Sequence, residues 1–486
     1  ALTLACGLQY ADDLLIDGTG NITLPADTLL GTSAGGQLHI GSTVGTVSSA
    51  NTALKFNGAS MTFDDDKQIT IGGFITGNSA SVNSSGTRTT TVSGNTVLLR
   101  MNGNGKISTV STSGFGVRFT GNQGTAVFGE NDTLSGTGGA FGFVLANSNI
   151  KVSIPSIFYN GTGAVSFTDN GPRTDCKLTF TGHQNYGSGS LKIHFYYNGS
   201  KNDTIDFNGY NVTAGNVSIG CQNVPDTAVI LYRDGTFTFA SHIDSLLASD
   251  GSNGGQIKHI RAGSTEYISG NFHAGRTHYY DGGGAVIFTG TSTITSNGKQ
   301  FADSLACTGS GTVTLADNLT CGALRVSSGT LNVIGDTLTV SRSVTTHGSA
   351  DWIFDANSLL YMNMDGARIG MSVGDTLPKT KIIGSLNLDS GGTMQQLIMM
   401  SDGDTIRFQN GKHFRFISID TSDFNGSGSN YNVWMSDAAF ARDTISKTGT
   451  PIRLTPKKWK VRDCVFPTDT INCLYSNDCV PIGGGY

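Results

Sequence analysis

The clearest pattern of hydrophobic and polar positions in the chain lies between Thr312 and Val340. Five runs of four residues, in which apolar and polar residues alternate, begin at positions 312, 318, 323, 330 and 337. This alternation is the period of a β-strand with one buried face. The links between the runs are too short for a helix and consist mainly of Gly, Asp and Ser, which tolerate tight turns. The pattern predicts short strands that wind into a coil, with successive turns stacked as a parallel sheet.

Internal repeats extend this prediction to much of the chain. The segment Ala285–Ser292 reads like Ala53–Ser60, and a third related segment begins at Lys192. Each copy is a strand, a glycine turn, a second strand and a polar turn. No copy carries enough apolar side chains for a core of its own, so the copies must stack. We therefore predict an all-β fold, a parallel β-helix or β-solenoid with capping segments at both ends.

The same reading divides the chain into segments with different roles. Residues 1–30 form an N-terminal cap or a strand segment shared between subunits, and residues 31–349 form the β-solenoid. Residues 350–486 continue the solenoid or cap it and end in an assembly tail, because all three tryptophans and most methionines lie there. A cap is expected at each end, since an open last turn would present unpaired strand edges.

Composition narrows the fold and the functional class. Gly accounts for 67 of 486 residues, and nearly all of the 36 acidic residues are aspartates, which favour turns over helices. A net charge of −5 argues against a nucleic-acid-binding protein, which would need a basic surface. No apolar run is long enough for a membrane helix.

The chain contains 8 cysteines, an even number that suits disulfides in an oxidising compartment. We expect Cys307 and Cys321 to be able to meet across adjacent turns, whereas the overall pairing stays open. A zinc site of the Cys-x-x-Cys type is not encoded. The chain begins with Ala1 rather than Met, as it would after removal of a leader. The disulfide candidates are Cys6, Cys176, Cys221, Cys307, Cys321, Cys464, Cys473 and Cys479.

Candidate catalytic and metal-binding residues are scattered. His242, His259, His273 and His278 are close in sequence, and the spacing of His259 and His278 is near one coil. We weigh two metal ligands on one face against chance clustering on a solvated face, and favour the second. No metal site and no cofactor are therefore predicted.

A bound calcium ion is the one alternative to this prediction, because several Asp-Gly pairs resemble fragments of calcium-binding loops. None extends to an EF-hand spacing, and Asp-Gly is also the usual turn pair. The Asp64–Asp66 run is the densest carboxylate cluster, but the repeat aligns it with a polar turn. A solenoid polysaccharide lyase or hydrolase would expose Arg261 and Asp281 in a groove, an interpretation that rests on fold analogy alone.

Both ends of the chain carry residues suited to pairing with another copy. The N-terminal segment has regularly spaced leucines, and a basic stripe near the C-terminus surrounds a tryptophan in an otherwise acidic protein. The last seven residues form an extended, glycine-rich tail able to add a strand to a neighbouring edge. The predicted assembly residues are Leu2, Leu4, Leu8, Lys458, Trp459, Lys460, Arg462, Val480, Ile482 and Tyr486.

The stretch from Gly311 to Val340 resembles parallel β-helix surface proteins, such as bacterial adhesin and autotransporter passengers and the shafts of phage tail fibres and tailspikes. The resemblance is one of turn residues and periodicity, and it implies an extracellular rod on a cell or virion surface. The leading hypothesis is a non-enzymatic structural subunit that assembles with copies of itself into a filament or surface appendage. The alternatives are a viral tail fibre that binds host surface glycans and a polysaccharide lyase or hydrolase.

Overall fold

A computed structural model of the chain describes strand bounds along its whole length and side chains in part of it. Side chains are described at residues 15, 17–21, 154, 157, 163–168, 177–195, 203–221, 228–244, 256–275, 280–347, 349–372, 374–389, 392–398 and 406–407. The predicted fold class is confirmed: the protein is all-β, with parallel strands stacked as a β-solenoid of about 8 turns.

The strands are short, as the alternating runs predict. In the first half of the chain they are Leu2–Thr3, Asp13–Ile16, Gly20–Leu24, Leu29–Leu30, Gln37–Ile40, Val44–Ser49, Ala53–Phe56, Ser60–Phe63, Gln68–Thr70, Gly73–Thr76, Arg88–Val92, Val97–Met101, Lys106–Thr109, Phe115–Phe119, Gly124–Val127, Thr133–Gly136, Phe141–Leu145, Lys151–Ile154, Ile157–Phe158, Ala164–Asp169, Lys177–Phe180, Gln184–Asn185, Ser190–Phe195, Asn202–Asp206, Val212–Cys221, Thr227–Leu231 and Thr236–Ser245. They continue as Gln256–Ile260, Ser264–Ile268, Phe272–His273, His278–Asp281, Gly284–Phe288, Ser292–Thr295, Ser304–Cys307, Thr312–Leu315, Leu319–Asn332, Thr337–Ile353, Leu359–Met362, Ala367–Gly370, Thr376–Leu377, Lys379–Ile382, Leu386–Leu388, Gly392–Met399, Thr405–Phe408, His413–Asp420, Asn432–Ser436, Asp443–Lys447, Trp459–Arg462, Cys464–Val465 and Val480–Ile482.

The chain divides into two compact units. Unit 1 comprises Ala1–Tyr267 and Gly275–Gly282, and unit 2 comprises Ile268–Ala274 and Gly283–Tyr486. The segment boundaries predicted after residues 30 and 349 stay predictions. Within the described residues, no helix is long and apolar enough to cross a membrane.

Unit 2 has the interior that alternation predicts. The strands Ser304–Cys307 and Thr312–Leu315 bury every second side chain, and the chain neighbours of those residues face outward. Leu305 pairs with Leu324, and Leu324 pairs with Val344, so apolar side chains of successive turns form continuous stacks. Hydrogen bonds between turns of this unit join, for example, residues 19 to 22 positions apart.

Unit 1 has longer turns and a more aromatic interior. Hydrogen bonds between its turns join residues 24 to 28 positions apart. Phe180 stacks on Phe207 at 5.0 Å between ring centroids, and Phe207 contacts Phe237 edge-on at 5.1 Å. This aromatic ladder ends beside Tyr232, whose ring centroid lies 4.8 Å from that of Phe237. The next interior layer is polar.

The Thr312–Val340 stretch forms strands where predicted, but two of its predicted links are not turns. The runs that begin at 318, 323 and 330 join into one continuous strand, Leu319–Asn332. Its pairing with Thr337–Ile353 shifts register between Cys321 and Ala323 and again between Val326 and Ser328. Bulges of this kind bend a strand without ending it, so they make the corners of the coil.

Candidate functional site

The candidate site is a buried charged cluster in the interior of unit 1. It begins on the strand Thr236–Ser245, where Phe237 and Phe239 point into the core. The buried phase then shifts by one residue, because the strand turns a corner between Phe239 and His242. His242 and Asp244 are fully buried after the corner, whereas Ile243 between them is 40% exposed.

The next turn supplies the remaining members of the cluster. The strand Gln256–Ile260 pairs with Thr227–Leu231, which places His259 one turn beyond the strand that carries His242. Arg261 follows that strand directly, and Glu266 lies on the strand after it. His259, Arg261 and Glu266 are, like His242 and Asp244, fully buried.

Short polar contacts connect these side chains. His242 Nδ1 lies 2.5 Å from Glu266 Oε1, and His242 Nε2 lies 3.2 Å from Asp244 Oδ1. His259 Nε2 lies 3.3 Å from the same Asp244 oxygen. The other Asp244 oxygen accepts a hydrogen bond of 3.4 Å from the backbone N–H of Gly275. Both imidazoles thus direct Nε2 toward one carboxylate.

A second layer holds the cluster in position. Arg261 Nη1 donates to Glu266 Oε2, and the guanidinium carbon lies 4.5 Å from the centre of the Tyr232 ring, a cation–π contact. The Tyr232 hydroxyl forms a hydrogen bond of 2.8 Å with His259 Nδ1. Arg261 Nε and Nη2 have no hydrogen-bond partner among the described residues. Tyr232, the last ring of the aromatic ladder, thus contacts both Arg261 and His259 of the cluster.

The charges in the cluster shift the pKa values of its members in opposite directions. Burial lowers the pKa of His242, but the charges and hydrogen bonds of Glu266 and Asp244 outweigh burial and raise it to about 9. Burial raises the pKa of Glu266, but Arg261 and His242 outweigh burial and lower it to about 2. In the absence of other ions, the protonated His242 and Arg261 thus face the ionised Glu266 at neutral pH.

The arrangement also has the composition of a metal site. One ligand-type atom from each of His242, Asp244 and His259 lies within 4.8 Å of the others. Imidazole nitrogen and carboxylate oxygen are the ligands that zinc and related divalent ions take in proteins. The cluster has no exposed atoms through which a polysaccharide could reach it.

The stacking of His259 on His278, which the sequence offered as the less favoured alternative, is not present. The register sets Tyr280 beside His259 and Ile257 beside His278, so the two histidines do not share a position on successive turns. The interpretation of the histidines as residues of a solvated face is wrong for His242 and His259, which are fully buried. His259 and His278 do not align because the turn that separates paired residues here, from Ile257 to His278, is longer than the interval between the two histidines.

The pair proposed for a groove-type lyase or hydrolase does not lie in a groove. Arg261 is buried in the charged cluster, whereas Asp281 is half-exposed and forms an ion pair of 3.1 Å with Lys258. The backbone N–H of Arg261 donates to the carbonyl of Asp281, so the two residues are neighbours. Their side chains lie apart, with Arg261 buried in the cluster and Asp281 at the surface. Arg261 has no route to a substrate.

The described cysteines are not in disulfides. Cys221, Cys307 and Cys321 are free and buried. Burial raises the pKa of the Cys307 and Cys321 thiols to about 12. The expected bridge between these two residues is therefore not formed. The side chains of Cys6, Cys176, Cys464, Cys473 and Cys479 lie outside the described residues.

Some predicted assembly residues lie on strands at the two ends of the chain. Leu2 is on Leu2–Thr3, which pairs with Gly20–Leu24, and Trp459, Lys460 and Arg462 are on Trp459–Arg462. Lys460 pairs with Val480 and Arg462 with Ile482, so the C-terminal tail adds a strand to its own chain. Leu4, Leu8, Lys458 and Tyr486 lie outside the described residues, as does the Asp64–Asp66 run.

The described Asp-Gly pairs have the geometry of turns. Gly18 and Gly282 both have positive φ, at 119° and 88°. The Asp17 carboxylate accepts a hydrogen bond of 2.8 Å from the N–H of Gly18. This local bond is the usual role of Asp in a tight turn.

No protein-family model matches the chain, and neither curated proteins nor solved structures include a match.

Proposed function

We propose that the protein is a non-enzymatic structural subunit of an extracellular filament or surface appendage, assembled from copies of itself through its terminal strands. The observation that carries the proposal is the position of the two terminal strands. Leu2–Thr3 is the end member of its sheet, and Val480–Ile482 is the end member of another. An end strand of a parallel sheet offers backbone N–H and C=O groups to a further strand.

The interior supports a structural role. Unit 2 is filled by tightly stacked Leu, Val, Ile and Met side chains, and its outer positions are mainly short polar residues. Residues that sequence analysis associated with glycan cleavage do not form an accessible pair, because Arg261 is buried. Contacts between unlike ends of two copies produce open filaments when the rotation between copies does not close into a ring.

Truncation tests the proposal. Deletion of residues 480–486 removes the terminal strand, whereas deletion of 483–485 leaves Val480–Ile482 and Tyr486 in place and serves as the matched control. We expect the first deletion to abolish filaments in electron micrographs and to shift sedimentation to the monomer. The shorter deletion should leave assembly intact. Deletion of residues 1–10 should act like the first deletion.

Far-UV circular dichroism of each variant must stay β-rich, which shows that the solenoid is folded. Undiminished filaments in both strand deletions would contradict the proposal. A closed trimer in the full-length protein, together with binding on a glycan array, would favour the tail-fibre alternative.

A further inference from the structure

The interior of unit 1 brings together two histidines and an aspartate that play no part in the proposed assembly. His242 and Asp244 come from one turn, and His259 comes from the next. Polar side chains inside a solenoid lose hydration without gaining apolar contacts. Ion pairs within the cluster offset this cost, but they do not explain why both histidines direct Nε2 toward one Asp244 oxygen.

The distances fit a small divalent ion. In a tetrahedral zinc site with metal–ligand bonds of about 2.1 Å, neighbouring ligand atoms lie about 3.4 Å apart. The two Nε2–Oδ1 distances are 3.2 Å for His242 and 3.3 Å for His259. Two of the three edges between the ligand atoms thus have the length that a tetrahedral site requires, and all three atoms lie within 4.8 Å of one another.

The surroundings orient the ligands as metal sites require. A metal-bound imidazole usually donates its other N–H to a carboxylate or another oxygen, which fixes the tautomer. His242 Nδ1 has Glu266 in this position, and His259 Nδ1 has the Tyr232 hydroxyl. Asp244 is held by the Gly275 N–H, and Arg261 holds Glu266. Each of the three ligands therefore has a positioning contact.

We propose that His242, Asp244 and His259 bind one divalent transition-metal ion of the zinc class, which ties two successive turns of unit 1 together across the interior. Two imidazoles favour zinc over calcium, which takes six to eight oxygen ligands. The fourth position is open to the second Asp244 oxygen or to a water molecule. Because the site is fully buried, the ion enters during folding and leaves only when the turn opens.

The main test is metal content. The full chain is unfolded in urea with a chelator and refolded with zinc or cobalt, and the bound metal is measured by mass spectrometry after gel filtration. We expect about one ion per chain in the wild type. Asp244→Asn and His259→Gln should each retain less than about a tenth of that amount. His194→Gln changes a histidine of unit 1 that bonds Ser218 instead, and it should bind metal like the wild type.

A second measurement needs no variant. Zinc X-ray absorption of the refolded wild type should show two imidazole ligands and nearby carboxylate oxygen. A folded wild type that binds neither zinc nor cobalt would overturn the proposal and leave the cluster as an ion-pair network. Equal metal content in the wild type and in both site variants would also overturn it, as would an X-ray absorption spectrum without imidazole.

Discussion

A charged side chain inside a β-solenoid is stable only when a partner replaces the water it loses. Among the described residues of unit 1, the His242–Glu266 cluster and Asp206 meet this condition. The Asp206 side chain is 3% exposed, and Arg233 binds it with two hydrogen bonds of 2.7 and 2.9 Å. The backbone N–H of Asn208 adds a third, of 2.9 Å. This bidentate geometry is the strongest form of the carboxylate–guanidinium contact.

The sequence identifies His242 and Asp244 as interior residues only if the corner between Phe239 and His242 is known. Strict alternation from Phe239 would bury Ser241 and Ile243 and expose His242 and Asp244. The corner reverses this phase, as a one-residue register change must. The preceding turn has the same corner, because Ala214 and Val217 are both buried and pair with Phe239 and His242. Alignment of the two turns is the signal that identifies His242 and Asp244 as interior residues.

Asp206 makes a testable contribution to acid stability. Burial alone would raise the pKa of Asp206, but Arg233, Asn208 and Lys177 outweigh it and lower the pKa below its usual value of 3.8. A lowered pKa means that the carboxylate stabilises the fold fully above the usual value and loses this contribution as pH falls from there through the lowered pKa of the folded state. Arg233→Met should therefore cost about 1 kcal/mol at pH 7, since the half-exposed guanidinium is screened by water. The cost should be smaller near pH 3.

Urea unfolding monitored by circular dichroism at both pH values checks this expectation. Lys258→Met is the control, because it removes the exposed ion pair with Asp281. It should change the free energy of unfolding by less than about 0.5 kcal/mol. An Arg233→Met cost that is as large at pH 3 as at pH 7 would show that packing, not the ion pair, is responsible.

At the scale of strands, alternation predicted the buried faces and missed the corners. Val313, Leu324 and Leu331 are buried as their pattern predicts. Gly322 and Gly329, by contrast, lie within the continuous strand Leu319–Asn332 instead of in turns that end it. Glycine there allows close approach of neighbouring backbones rather than a chain reversal. Composition does not distinguish these two roles, because both select residues without a side chain.

Two glycines with the same backbone conformation separate these roles experimentally. Gly329 and Gly335 have φ of 71° and 76°. A Cβ at Gly329 would clash with the carbonyl oxygen of Gly309, whereas a Cβ at Gly335 would meet nothing within 4 Å. Gly335→Ala should cost about 1 kcal/mol, from backbone strain alone. Gly329→Ala should cost at least about 2 kcal/mol more, since it adds overpacking against backbone.

The measurement is the urea midpoint of each variant, with the slope of the transition compared with that of the wild type. Equal shifts of the urea midpoint for both variants would mean that the neighbouring turn, which carries Gly309, moves away from Gly329 easily. The corner would then not be fixed by close packing of the backbones.

At the scale of the molecule, stacking makes stability a local property. In a solenoid each turn contacts only its neighbours, so stability is close to a sum of turn and interface contributions. Unit 2 shows this directly, because Leu324 is buried between Leu305 on one side and Val344 on the other. A defect at Leu324 should therefore loosen those turns and spare more distant turns of the same unit.

Leu324→Ala tests this locality. Loss of the buried side chain should cost about 2–5 kcal/mol, because it leaves a cavity between rigid neighbours. Hydrogen exchange followed by mass spectrometry should show faster exchange in Ser304–Cys307 and in the strand that carries Val344. The strand Leu386–Leu388, further along unit 2, should keep its protection. Thr320→Ala, at an exposed position of the Leu324 strand, is the control and should leave all of them protected. A uniform loss of protection throughout unit 2 would instead indicate one cooperative globular core, in which stacked turns have no independent stability.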